Sequence, residues 1–188
     1  MEDNVSENIF IESPICVIVG NKGSGKTLYL TSVAIDSIAM KKTVYANYHL
    51  KGIPYIHFTE DMLKDISQLK SNSVILIDEG QMLADSYNFL TMSARQVTLL
   101  ATQLRKRGLD LYITTQRFKF ITARLRELTD YIIACQNVKN KKGNIVKGFV
   151  YLEVYDRNDP LYFNTPKSKA VLDLTAYFPY YNTREIIM

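Results

Sequence analysis

Apolar positions recur along this chain in two rhythms. Short runs of branched and aromatic residues occur at Pro14–Val19 (PICVIV), Thr43–Asn47 (TVYAN), Val74–Ile77 (VILI), Leu109–Thr114 (LDLYIT) and Tyr131–Ala134 (YIIA). Runs of this length and composition, stopped by glycine or polar residues, predict buried strands. Tyr55–Phe58 predicts a shorter strand. Between them the spacing becomes helical. From Lys26 onward Leu30, Val33, Ala34 and Ile38 share one face. Glu60–Leu69 and Phe120–Leu128 predict short helices. Arg95–Arg107 predicts a longer one, with Val97, Leu100, Ala101 and Leu104 inward and Gly108 at the C-cap position. Strands alternating with helices predict an α/β fold with a mainly parallel sheet and helices on both faces.

Beyond Gln136 the texture changes. The stretch VKNKKGNIVKG is basic and contains glycines, and Phe149–Tyr155 (FVYLEVY) alternates like an antiparallel strand. The remainder is rich in Tyr and Phe, with Pro160, Pro166 and Pro179. We read one domain: a core over about residues 14–136, then a C-terminal β-hairpin and an irregular tail over about 137–188.

Charge sharpens this picture. The 188 residues carry a net +4, but residues 95–147 alone hold twelve basic and three acidic groups, a local +9. A basic middle between acidic flanks predicts a surface that faces a polyanion. Cys16 and Cys135 are the only cysteines, so neither a disulfide framework nor a cysteine zinc site is indicated, and a reducing compartment is expected. The start, MEDNVSENIF, is polar and acidic, unlike a secretory signal. No apolar run approaches the roughly 20 residues of a membrane span, so no membrane partner is expected.

The segment Gly20-Asn21-Lys22-Gly23-Ser24-Gly25-Lys26-Thr27 satisfies Gly-x-x-x-x-Gly-Lys-Ser/Thr in full, directly after a strand and opening a helix. Its glycines let backbone N–H groups turn inward at phosphate oxygens, and the helix N-terminus adds positive potential. Lys26 is expected on the β/γ-phosphates of ATP and Thr27 on Mg2+. Asp78-Glu79 follows the strand VILI. In an open α/β sheet this places both carboxylates at the edge where the phosphate loop lies. Asp78 is expected in the magnesium shell, partly through water, and Glu79 as the base that activates a water. Gln116, at the end of LDLYITTQR, can donate to a phosphate and accept from water, which suits a sensor.

The order of these segments resembles a known group. The phosphate loop, IDEGQ (77–81), the helix ending LRKRGLDL (104–111) and the strand ending ITTQR (113–117) recur in this order in the FtsK–HerA superfamily. The resemblance is strongest to its Zot-like and viral genome-packaging branches, including those of archaeal viruses. RKRGLDLYITTQRF followed by ITARLRELTDYIIAC carries most of it, YFPYYNTREII looks like the tail of such proteins, and it covers roughly residues 14–188. It implies a RecA-like ASCE P-loop NTPase core, in which another strand separates the strands bearing the phosphate loop and the acidic pair. It implies Glu79 as catalytic acid/base residue, Gln116 as sensor, and a homo-oligomeric ring on double-stranded DNA. An arginine from one subunit would complete the neighbour's site, and Arg105 matches best, ahead of Arg107 and Arg95.

Zot-like proteins of filamentous phages carry a transmembrane segment, and FtsK-type translocases carry further DNA-reading domains. By subtraction, this chain is expected to package DNA into a preformed capsid, working in the host cytoplasm and transiently at a capsid vertex whose proteins it would meet. A motor indifferent to sequence holds phosphates. Lys139, Lys141, Lys142 and Lys147, in the basic turn before the hairpin, are the first candidates for DNA contact, with Lys119, Arg124 and Arg126 as a second set. A solvated hairpin tip is the competing reading of the first set. His49 and His57, even with Glu60 and Asp61 near the latter, form no recognisable ligand set. The alternative function is a small-molecule kinase: Asp78–Gln81 also resembles the Asp-Glu-x-Gln of type II thymidine kinases, although the zinc-binding cysteines these often carry are missing.

Overall fold

The computed structural model describes residues 15–59, 61–62, 65–79, 102–157 and 165–181. Pro14, Glu60, the segment 80–101 with Gln81, Arg95, Val97, Leu100 and Ala101, Pro160 and the final NTREIIM after Tyr181 lie outside the described residues.

Eight strands among the described residues form one sheet in the order β3-β2-β4-β5-β1-β6-β7-β8. These are β1 (Ile15–Val19), β2 (Thr43–Ala46), β3 (Ile56–His57), β4 (Ser73–Ile77), β5 (Leu109–Thr115), β6 (Tyr131–Lys139), β7 (Ile145–Asp156) and β8 (Ser168–Asp173). Neighbours from β3 through β6 are parallel, while β6–β7 and β7–β8 are antiparallel. β5 separates β1 from β4, as the ASCE arrangement requires.

Period-two alternation distributes the apolar side chains over two cores. On one face Cys16, Ile18, Val44, Val74 and Leu76 meet Leu30 and Ala34 of α1 (Lys26–Ala39). On the other Ile15, Val17, Ile75, Leu111 and Ile113 meet Leu104 of α2 (residues 102–107) and Leu125 of α3 (Ala123–Leu128). Both layers of a three-layer α/β sandwich are therefore present. Each fully buried Leu or Ile contributes about 1.5–3 kcal/mol relative to exposure. Gly108 closes α2 with φ 62°, its N–H reaching Arg105 O at 3.3 Å.

Several elements differ from expectation. Within the helix expected over Glu60–Leu69, the described residues are helical at 61–62 and form a separate 3-10 turn at Ile66–Gln68. Asp65 breaks the helix: its carboxylate accepts from Ser67 N, the local capture that competes with a continuous helix. The helix over Phe120–Leu128 starts at Ala123, because Thr122 caps it by accepting from Leu125 N, and Phe118–Phe120 is a separate 3-10 turn. The largest change concerns the basic stretch. β6 runs on to Lys139 and β7 begins at Ile145, so the lysines lie in the hairpin itself, not in a turn preceding it. The tail, expected to be irregular, supplies β8 and a 3-10 helix, Thr175–Tyr180. Tyr177 and Tyr181 then pack on the α1-side core.

Candidate nucleotide site

The C-terminal edge of the parallel strands gathers most of the expected residues. After Val19 the chain turns through Gly20–Gly25 into α1. Gly23 and Gly25 take φ 76° and 92°, left-handed values that L-residues with a Cβ resist. Space also excludes a side chain at Gly25, where a Cβ would lie 2.6 Å from Val150 Cγ2. Nothing caps the start of α1: no side chain accepts from its first amides, and no acidic residue lies in its first turn. Those N–H groups and the positive end of the helix dipole remain available to an anion.

Lys26 Nζ donates to Gly20 O at 2.9 Å and Asn21 O at 3.0 Å. The ammonium thus arches over the loop it is expected to share with phosphate. Burial lowers its pKa, while the neighbouring Cys135, Asp78 and Glu79 act in the opposite sense. Ser24 is buried, and its hydroxyl has no hydrogen-bond partner among the described residues. Asn21, Lys22 and Gly23 are exposed.

β4 delivers Asp78 beside this loop. Thr27 Oγ1 donates to Asp78 Oδ2 at 2.8 Å, across 51 residues of sequence. The helix-opening hydroxyl and the strand-end carboxylate therefore form the oxygen pair that a hard cation such as Mg2+ takes. Two side chains that the sequence reading did not single out fix this carboxylate. Thr114 Oγ1, fully buried on β5, donates to Asp78 Oδ1 at 2.5 Å and accepts from Glu79 N at 2.8 Å. Asn47 brackets the same residue's backbone, accepting from Asp78 N at 2.7 Å and donating to Asp78 O at 3.0 Å. Asn47 directly follows β2 and Thr114 is next to last in β5, the two strands flanking β4, and that position was the available signal.

Glu79 is exposed and takes φ 51°, an uncommon conformation for a residue with a Cβ, which turns it out of the strand direction. Gln116 is exposed immediately after Thr115, whose carbonyl accepts from Gly20 N at 3.3 Å. Phosphate loop, acidic pair and glutamine thus share one edge.

Arg105 does not join them. Its guanidinium donates to Asp130 Oδ1 at 3.0 Å, and Asp130 N donates to Ile15 O. This is the N-terminal edge, the length of β1 away, about 16 Å for five residues at about 3.3 Å each. Arg107 is committed to the carbonyls of Ile66 and Leu69. Lys139, Lys141, Lys142 and Lys147 are exposed. Ala134 of β6 pairs with Val19, and the strand runs on to Lys139, so the hairpin projects from the phosphate-loop edge. Of the second basic set, Lys119 and Arg124 are exposed, while Arg126 donates to Lys119 O and Ile121 O. His49 faces the Tyr55 hydroxyl at 3.1 Å.

The inserted strand order, the glycine loop and the Thr27–Asp78 pair define a RecA-like P-loop fold with the ASCE strand order. Comparison with known proteins agrees. Among solved structures, the chain is similar to the N-terminal domain of zonular occludens toxin from Neisseria meningitidis, with a TM-score of 0.63 and 22% identity over 90% of this chain and 99% of that one. It is also similar to the genome packaging NTPase B204 of Sulfolobus turreted icosahedral virus 2, solved with ATP-gammaS, with a TM-score of 0.55 and 16% identity over 85% of this chain and 96% of that one. In sequence it is 28% identical over 177 residues to an uncharacterised ORF2 protein of Spiroplasma virus SpV1-C74, covering 87% of this chain. The chain spans about half the length of that relative, 52%. No protein-family model matches. Among the described residues no helix is long and apolar enough to cross a membrane.

Proposed function

We propose that this domain is a magnesium-dependent ATP hydrolase that moves double-stranded DNA as a homo-oligomeric ring during virus assembly. One observation carries the reading: the phosphate loop, the Thr27–Asp78–Thr114 cluster with Glu79, and a lysine-bearing hairpin all occupy one edge of the sheet.

In this reading Lys26 and the first amides of α1 bind the β- and γ-phosphates of ATP. Thr27 and Asp78 would hold Mg2+, which when bound neutralises charge on the phosphate oxygens. Glu79 accepts a proton from water as that water's oxygen bonds to the γ-phosphorus and the bond to the ADP oxygen breaks. The left-handed turn and the N–H bond to Thr114 orient Glu79 for this. Gln116, beside Gly20, reports the presence of the γ-phosphate. Arg105, distant from its own site, serves the neighbour's site in the ring, where a guanidinium offsets the developing negative charge. Lys139, Lys141, Lys142 and Lys147 hold DNA phosphates without reading sequence. The likeness to B204, described as a genome packaging NTPase, favours packaging into a preformed capsid as the task. In this reading the protein works in the host cytoplasm and transiently at a capsid vertex.

The test is magnesium-dependent ATP hydrolysis with and without duplex DNA, with Glu79→Gln as the blank. Turnover that rises with DNA and vanishes in the blank is the expected result. Turnover indifferent to DNA but dependent on a nucleoside acceptor would refute the motor and establish a kinase.

A further inference from the structure

The β6–β7 hairpin touches the phosphate loop at its base and carries unbalanced charge at its tip. At the base, Cys135 Sγ donates to Ser24 O at 3.1 Å. Cys135 O lies where a Cβ on Gly20 would come within 2.4 Å, and Val150 Cγ2 lies 2.6 Å from the Cβ position of Gly25. Both strands therefore press on the loop from positions two residues apart in register, Cys135 pairing with Leu152 and Val150 with Asn137. A close-packed contact has no gap to absorb movement, so displacement of the loop displaces β6 and β7.

The tip begins just beyond. The register shifts between Asn137 and Lys139, a bulge at which a strand pair bends and twists. Lys139 lies five residues past Ala134, the partner of Val19, so the tip stands about 16 Å beyond the end of β1 at about 3.3 Å per residue. Residues 137–148 contain four lysines and no carboxylate. The turn is preorganised: Asn140 Oδ1 accepts from Lys142 N and Asn144 N, both at 3.0 Å, and Gly143 closes it with φ 80°. The lysine backbones are thereby held as a fixed array.

We infer that this hairpin is a lever, with Val150 and Cys135 transmitting the nucleotide state of the phosphate loop to a lysine tip that grips a nucleic-acid phosphate backbone. The inference rests on the DNA-motor reading and adds how the two sites communicate. Coupling of this kind is reciprocal: nucleotide changes DNA affinity by the factor by which DNA changes nucleotide affinity.

The experiment measures binding of a labelled DNA duplex to the full chain, with and without a non-hydrolysable ATP analogue. Proteins compared are the unsubstituted chain, Lys139→Gln/Lys141→Gln/Lys142→Gln, Val150→Ala and Val154→Ala. Val154 is as buried as Val150, both 2% exposed, and lies farther down β7 from the bulge, so it controls for lost packing. In the unsubstituted chain the analogue should change DNA affinity at least about fivefold. Val150→Ala should bring that factor close to one while Val154→Ala keeps it. The triple substitution should reduce the slope of log affinity against log salt by about 3, since each phosphate contact contributes about 0.9. A fluorophore on Lys142→Cys, the native cysteines being buried, should report tip movement on adding the analogue without any change in the core. The lever fails alone if DNA binds but the analogue alters neither affinity nor the tip signal. It also fails if the two valine variants behave alike, or if the triple variant keeps the original salt slope. If the unsubstituted chain binds no duplex, the motor reading fails and takes the lever with it.

Discussion

Thr114→Val tests whether the buried hydroxyl, and not the shape of the side chain, organises the acidic pair. Thr114 is fully buried and supplies two bonds, one donated to Asp78 Oδ1 and one accepted from Glu79 N. Valine keeps the branched shape and removes both. A hydrogen bond to a charged group is worth about 1.5–3 kcal/mol. The freed amide of Glu79 belongs to an exposed residue, so water can replace that partner at little further cost. The net loss is therefore about 2–3 kcal/mol, mostly from the Asp78 bond. For a chain of this size that lowers Tm by about 4–12 °C. Hydrolysis should fall further than stability explains, because Glu79 loses the bond that sets its orientation. We expect kcat to drop at least about tenfold with KM changed less than about threefold, the pattern of an interaction expressed in the transition state. Thermal unfolding and steady-state ATP hydrolysis are the assays, and Thr114→Ser, which retains the hydroxyl, should restore most of both. A valine variant that melts and turns over normally would falsify the reasoning. A serine variant as impaired as valine would show that the lost methyl, not the lost hydroxyl, caused the defect.

Two further outcomes follow from burial around the loop. Gly25→Ala adds a Cβ at φ 92°, against Val150 Cγ2; left-handed strain of about 1–2 kcal/mol and overpacking of about 1–3 kcal/mol predict a loss of about 2–5 kcal/mol. Val150→Ala in that background should recover only the packing part, and unchanged urea unfolding of Gly25→Ala would disprove the contact. The Cys135 thiol is pushed up from its ordinary 9.0 to about 11 by burial. It stays protonated when folded while the unfolded chain ionises, so its contribution is intact below pH 9.0 and is lost as the pH rises through about 11. Resistance to urea across that window should fall with rising pH, and Cys135→Ala should flatten part of the decline. An unchanged slope in the variant would remove Cys135 from the explanation.

What the amino-acid sequence determined by itself was local. Gly20–Thr27 specifies its own conformation, since glycines at Gly23 and Gly25 permit the left-handed turn and Lys26 opens an amphipathic helix. VILI followed by Asp78-Glu79 specifies a buried strand whose end presents carboxylates. The resemblance supplied the inserted strand. The contacts that tune the site became visible only in three dimensions. Thr114 reaches Asp78 across 36 residues, Asn47 across 31, and Cys135 reaches Ser24 across 111. Each depends on which strands are neighbours and in what register, and a slip of one residue would turn every side chain of a strand to the opposite face. The same holds for charge. The lysines of the basic stretch are evident in the chain, but their place on the nucleotide edge follows from β6 running parallel to β1 and five residues past its level. Arg105 stands at the other edge because α2 enters β5 from its N-terminal end. Local sequence sets backbone conformation and burial; long-range pairing, stabilised cooperatively by both cores, sets which chemistry meets.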